Sequence, residues 1–142
     1  MNYTATDIEA LVARAHAADL EGVELLSADP ATLAAQYNGI GPESWPEAVR
    51  DVVTRFFSLF APAALIHDLR YSSGDGSRFD YNFANIEFHN NCLRLARHEI
   101  AWWRFLRRAS AETAALTFYR AVASSFGWNA YLSATLKKQK GE

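Results

Sequence analysis

The sequence predicts an all-α fold. Apolar residues recur at steps of three and four over most of the chain, which is the spacing of an amphipathic helix. Capping signals precede several of these stretches. The clearest loop signal is one short segment, 72–77, which contains two glycines. With 142 residues, half of them apolar, the chain has the size of a single domain (1–142) with a sizeable core.

The first two helices are predicted from their N-terminal signals. Thr6, three residues before Glu9, has the form of a capping box, and the apolar residues that follow keep helical spacing. Asp29 and Pro30 begin a second, short helix that runs toward Tyr37, because proline fits the first position of a helix.

A third helix and its continuation are predicted before the loop. Ser44, three residues before Glu47, is another capping signal, and the apolar residues of segment 45–60 form one broad stripe. Pro62 lacks the backbone N–H that a helix interior requires. We therefore expect it to break or restart the helix before residues 63–71.

Two long helices are predicted after the loop. One should run from about residue 81 to residue 107. Ser110 is expected to cap the other, which passes Trp128 toward Lys138 and bends near Gly127.

Two short segments carry the residues that are best suited to chemistry. Segment 37–41 reads Tyr-Asn-Gly-Ile-Gly, and such glycines let backbone carbonyls turn toward a cation. Further along, His67 stands beside Asp68, and Tyr71 lies one helical turn later on the same face as His67. Asp68 offers a charged ligand, and His67 can accept a proton from a nearby water. Together these groups are equipped for metal-assisted hydrolysis if the loop and the helix meet.

Asn85 lies on an otherwise largely apolar stripe of the first long helix after the loop. A buried amide without a partner costs ~1–3 kcal/mol, so a partner is expected. The sequence leaves two candidates open, the ring of His67 and a backbone group of a neighbouring loop.

The ordered pair of motifs resembles phospholipase A2, the calcium-dependent lipases that cut the sn-2 ester of glycerophospholipids. The disulfide-free pattern is closest to the virus-capsid and bacterial branches of that superfamily. The resemblance covers residues 37 to about 91. It implies a central antiparallel helix pair with additional N- and C-terminal helices. It also implies a Ca²⁺ ion held by the carbonyls of Tyr37, Gly39 and Gly41 together with the carboxylate of Asp68.

The resemblance further implies catalytic roles. His67 would activate water, and Tyr71 would support it by hydrogen bonding. The family holds its histidine with an aspartate in an Asp-x-x-Phe pattern, whereas here the matching run begins with Asn85 and ends at Phe88. An amide can fix the tautomer of His67 but adds no negative charge. Two functions therefore stay open: phospholipid ester hydrolysis, or an inert scaffold of the same fold that acts as a lipid-binding or assembly protein.

Composition and charge limit the function classes. The net charge is −2, so no general attraction to nucleic acid is expected. Cys92 is the only cysteine, which suits a reducing compartment. The first residues resemble no signal peptide, and no stretch approaches the ~20 apolar residues of a membrane span. We expect a cytoplasmic protein, or one delivered without a signal peptide, with no transmembrane segment.

The expected partner is a phospholipid or membrane surface. Segment 102–108, which reads Trp-Trp-Arg-Phe-Leu-Arg-Arg, either touches an anionic lipid surface or forms a core face with arginines suited to a helix C-terminus. The sequence leaves the oligomeric state open.

Overall fold

The structure, a computed structural model, describes residues 3–37 and 47–141. Within these ranges the protein contains six α-helices and no strand, which confirms the all-α prediction. One 3₁₀ turn, which was not predicted, follows the first helix. The elements are α1 (Ala5–Ala17), the 3₁₀ turn (Val23–Ser27), α2 (Pro30–Gln36), α3 (Glu47–Ser73), α4 (Arg78–Glu99), α5 (Phe105–Val122) and α6 (Ser125–Gln139).

The capping box of α1 lies two residues before its predicted position. The side chain of Thr4 accepts a hydrogen bond from the backbone N–H of Asp7, and the backbone N–H of Thr4 donates to the Asp7 carboxylate at 2.8 Å. The predicted cap at Thr6 is wrong. The Thr-x-x-acid spacing occurs twice, at Thr4/Asp7 and at Thr6/Glu9, and a cap at Thr4 adds two residues to the start of the helix. The predicted start of α2 is confirmed, since Asp29 accepts from two backbone N–H groups of its first turn.

Helix α3 passes through Pro62 without a break. The proline removes the N–H that would bond to the carbonyl of Ser58, four residues earlier. The Arg14 guanidinium of α1 replaces it: Nη1 donates to the Ser58 carbonyl at 3.0 Å, and Nη2 donates to the Leu59 carbonyl at 2.9 Å. Arg14 is held in turn by Glu99, with Nε and Oε1 2.8 Å apart. The predicted break is therefore wrong, because a distant side chain satisfies the carbonyl that proline leaves open.

The helix predicted for 81–107 is interrupted after α4, and α5 begins five residues before the predicted cap at Ser110. Arg108 stabilises the interruption. Its Nη2 donates to the carbonyl of Arg97 at 2.6 Å and to that of Ile100 at 2.7 Å. These bonds satisfy carbonyls that the end of α4 leaves without helical partners.

A second interruption, at residues 123–124, separates α5 from α6 in place of the predicted bend near Gly127. Gly127 lies instead in the first turn of α6, where it packs against the end of α5. A Cβ atom at this position would lie 1.7 Å from the carbonyl oxygen of Val122. Glycine is required here because any side chain would prevent this approach.

Helices α3 and α4 form an antiparallel pair, since residues late in α3 meet residues early in α4. Tyr71 bonds to Asn85, and the ring of His67 packs on Phe88 with centroids 4.8 Å apart. The main core receives buried side chains from α1 to α5, among them Ile8, Leu33, Leu65, Cys92 and Ala115. A smaller aromatic cluster joins α3 and α4 to α6. The candidate site lies between α3 and α4.

Among the described residues, none of the helices combines the length and the hydropathy needed to cross a bilayer.

Candidate functional site

A hydrogen-bonded group of three buried side chains lies between α3 and α4. The Nε2 atom of His67 is 2.9 Å from Oδ1 of Asn85, and the Tyr71 hydroxyl donates to the same oxygen at 2.8 Å. All three side chains are buried. His67 and Tyr71 approach Asn85 together because they are one turn apart on α3. The structure thus confirms His67 as a partner of Asn85, whose Nδ2 also donates to a backbone carbonyl, that of Val122 at the end of α5.

The orientation of the Asn85 amide follows from its surroundings. Its Nδ2 faces the carbonyl oxygen of Val122 at 3.5 Å, and this oxygen also accepts a 2.6 Å bond from the Tyr81 hydroxyl. A carbonyl can only accept, so the NH₂ group must face it and Oδ1 must face His67. Since Oδ1 also only accepts, Nε2 of His67 carries the ring proton. Nδ1 is therefore unprotonated and available as a base.

Burial keeps the His67 ring neutral. It lowers the pKa of His67 from 6.5 to about 4, because the charged imidazolium loses its hydration, and the bond to Asn85 offsets part of this effect. At neutral pH the ring can therefore accept a proton, although an imidazole with this pKa is a weak base.

Asp68 points away from the group around Asn85, as expected for the next residue of a helix. Its side chain is half-buried, and its Oδ2 atom is shielded from solvent without a hydrogen-bond partner among the described residues. Burial raises the pKa of Asp68 to about 7, because the charged carboxylate loses its hydration. A buried carboxylate oxygen of this kind is suited to binding either a proton or a cation.

Tyr37 is the one residue of the predicted metal-binding loop that the structure describes. Its ring is buried and packs on Tyr3 with centroids 4.6 Å apart. Burial and the negative charge of Asp68 both raise the pKa of the Tyr37 phenol. The Tyr37 side chain therefore lies within electrostatic reach of Asp68. The other two predicted ligands, Gly39 and Gly41, and the predicted cap Ser44 lie outside the described residues.

An apolar cleft leads to His67 and Asp68. Its cavity volume is about 20 Å³, which is room for about one water molecule. Apart from the two polar residues, its lining is aliphatic and aromatic. The lining residues are Phe57, Phe60, Ala64, His67, Asp68, Phe88, Phe118 and Val122. Such walls are chemically suited to an aliphatic chain, and the cleft must widen to admit one.

The apolar walls of the cleft were not predicted as part of the site. Phe57 and Phe60 belong to a stripe that the sequence marks only as a buried helix face. Phe118 and Val122 are four residues apart on α5, a spacing that fits any core-facing helix. Their role follows from the packing of α5 against α3 and α4, which no local pattern encodes.

Comparisons of this chain with protein-family models, with curated proteins and with solved structures return no match. Its function is therefore inferred from the chemistry of the site.

Proposed function

We propose that the protein hydrolyses the sn-2 acyl ester of phospholipids in a calcium-dependent reaction, on a phospholipase A2-like helix pair. The observation that carries this proposal is the hydrogen bond between His67 and Asn85, from which the tautomer of His67 is inferred. Asn85 holds the protonated Nε2, so the unprotonated Nδ1 is left to act as a base. The ring borders an apolar cleft, which must widen to admit an acyl chain, and a carboxylate lies beside it.

His67 is the catalytic base in this proposal. Nδ1 takes a proton from water while the water oxygen bonds to the ester carbonyl carbon. The carbon–oxygen bond to the glycerol then breaks, and the proton passes from Nδ1 to the leaving alkoxide. Asn85 and Tyr71 are positioning residues: the amide orients the ring, and the Tyr71 hydroxyl holds the amide.

Asp68 fits the calcium site that this function requires. Its shielded Oδ2 has no hydrogen-bond partner within the described ranges, and carboxylate and backbone carbonyl oxygens are the ligands that Ca²⁺ prefers. The carbonyls of Tyr37, Gly39 and Gly41 would complete the set. Bound calcium would polarise the ester carbonyl and stabilise the oxyanion. Among the described residues, no three His, Cys, Asp or Glu side chains cluster as metal ligands, and the proposed site needs only one carboxylate.

The direct test is fatty-acid release from mixed phospholipid vesicles, with Ca²⁺ and with chelator. We expect release by the wild type only with Ca²⁺, and background release by His67→Gln and Asp68→Asn. The matched control is His98→Gln, because His98 is exposed on α4 and takes no part in the site. Release that is unchanged by chelator, or equal in wild type and His67→Gln, would contradict the proposal.

The inert lipid-binding or assembly scaffold is the second candidate. It is favoured by the neutral Asn85, because an amide does not stabilise the imidazolium that forms during turnover. In serine proteases, where an aspartate holds the catalytic histidine, the corresponding Asp→Asn change costs ~10⁴ in turnover. If the folded wild type gives no release above the His67→Gln background, this second function stands in place of the first.

A further inference from the structure

A surface patch of aromatic and basic residues lies at the turn between α4 and α5. We name it the 102–107 patch; it comprises Trp102, Trp103, Arg104, Phe105, Leu106 and Arg107. Its four apolar side chains are 74%, 66%, 68% and 73% exposed, in chain order. The alternative prediction that this segment forms a core face is therefore wrong. Four adjacent large apolar residues in water are characteristic of an interaction surface.

The patch belongs to an ordered turn. The backbone N–H of Arg104 donates to the carbonyl of Ala101 at 2.9 Å. Arg108 donates to two carbonyls at the end of α4. The rings of Trp102 and Trp103 meet edge to face, with centroids 6.1 Å apart. A preformed surface loses little conformational entropy when it binds.

The charges around the patch favour an anionic partner. Segment 97–112 contains four arginines and two glutamates, a net charge of +2 in a chain whose net charge is −2. Both glutamates are engaged: Glu99 pairs with Arg14, and Glu112 with Arg97. Within the described ranges, the two arginines of the patch, at 104 and 107, form no ion pair.

At a second exposed apolar surface, the neighbouring arginines are engaged with other side chains. Phe79, Phe83 and Ile86 follow one another along one face of α4. The neighbouring guanidinium of Arg70 lies over the Phe83 ring but is paired with Glu87 at 2.8 Å and with another glutamate. The guanidinium of Arg78, which precedes Phe79, lies over the Trp128 ring at 3.7 Å from its centroid. Phe79 is 77% exposed and therefore serves as an internal comparison for the tryptophans of the patch.

We propose that the 102–107 patch docks the protein on the surface of an anionic phospholipid bilayer. Tryptophan and phenylalanine rings would enter the headgroup boundary, and the two arginines would face anionic headgroups. The choice of lipid as partner rests on the proposed function. Phe105 and Phe118 are 13 residues apart on α5, so the patch and the cleft are separated by about 20 Å along this helix. Docking and chemistry can therefore be altered separately.

The test is sedimentation with two kinds of vesicle, phosphatidylcholine alone and phosphatidylcholine with about one third phosphatidylglycerol. All proteins carry His67→Gln, so that the lipid stays intact and binding is measured whether or not the protein is an enzyme. We expect binding to the anionic vesicles, and weakening by about thirtyfold in Arg104→Gln/Arg107→Gln, at roughly fivefold for each arginine. Trp102→Ala/Trp103→Ala should also lose binding, whereas Phe79→Ala, equally exposed at 77%, should keep it.

Three results would overturn the docking proposal. The first is an absence of binding to anionic vesicles by the His67→Gln protein. The second is an equal loss of binding in Phe79→Ala and in the double tryptophan variant. The third is a dimer in sedimentation equilibrium that Trp102→Ala/Trp103→Ala dissociates, since the patch would then be covered by a second copy. None of these results depends on hydrolysis, so failure of the proposed function would be recorded separately.

Discussion

Replacing Asp68 with asparagine should make the free energy of unfolding rise with pH between about 4 and 6.5. The reason is His67, whose pKa is about 4 in the folded protein and 6.5 when exposed. Between these values the unfolded chain binds a proton that the folded chain does not. Stability is therefore full above pH 6.5 and is lost as the pH falls toward 4. At about 1.4 kcal/mol per pH unit, the loss is at most about 3 kcal/mol.

Asp68 has the opposite effect in the wild type. Its pKa is about 7 when folded and 3.8 when exposed, so the folded chain binds the extra proton between these values. Its contribution to stability is full below pH 3.8 and is lost as the pH rises through 7, by at most about 4 kcal/mol. In the wild type, the effects of His67 and Asp68 on the pH dependence of stability therefore cancel from about pH 4 to 6.5. Each single variant should reveal the slope of the other residue, so His67→Gln should lose stability as the pH rises.

The assay is urea unfolding at pH 4, 5, 6 and 7 in chelator, followed by tryptophan fluorescence. The quantity compared is the difference between variant and wild type at each pH, because other ionisable groups contribute equally to all three proteins. We expect the difference in free energy of unfolding, variant minus wild type, to rise with pH for Asp68→Asn and to fall with pH for His67→Gln. If both variants follow the wild-type profile, the pKa values of His67 and Asp68 are not shifted as described, and the proposed charge state of the site is refuted.

Three further predictions test the site and its support. Millimolar Ca²⁺ should raise the Tm of the wild type, more at pH 8 than at pH 6 because a proton competes for Asp68, and Asp68→Asn should abolish the rise in a thermal melt. Asn85→Asp should raise the turnover of an active enzyme, because the imidazolium of His67 gains an opposite charge; vesicle hydrolysis and melting are followed in parallel, since a buried carboxylate costs stability. Arg14→Ala should lower the free energy of unfolding by about 2 kcal/mol, because the Ser58 carbonyl loses its donor, while Arg14→Lys should lose less; equal stability in urea for all three proteins would contradict this.

The sequence predicted the paired helices and their polar residues because these depend on local spacing. His67 and Tyr71 share a helix face by periodicity alone, and an amide on an apolar stripe needs a partner. The structure joins all three in one hydrogen-bonded group. The likeness of this pair to phospholipase A2 stays a prediction, as does the calcium site.

The errors in the predicted helix boundaries have a common cause, which is satisfaction of the backbone by distant side chains. Pro62 is tolerated inside α3 because Arg14 reaches the carbonyl of Ser58 from another helix. The turn after α4 contains neither glycine nor proline, and Arg108 satisfies its carbonyls instead. Local propensity contains no information about such contacts, because they form only when the helices pack.

The charge of the site connects the two candidate functions. Without a cation, Asp68 with a pKa of about 7 is largely protonated in mildly acidic solution, and His67 is neutral. The cleft is then uncharged. Under the proposed function, Asp68 would exchange its proton for a divalent cation, and the resulting net charge of +1 beside the base would complement a phosphodiester and an oxyanion. Because Asn85 is neutral, this positive charge is not cancelled by a second carboxylate. The same amide that weakens His67 as a base therefore preserves the attraction for an anionic headgroup.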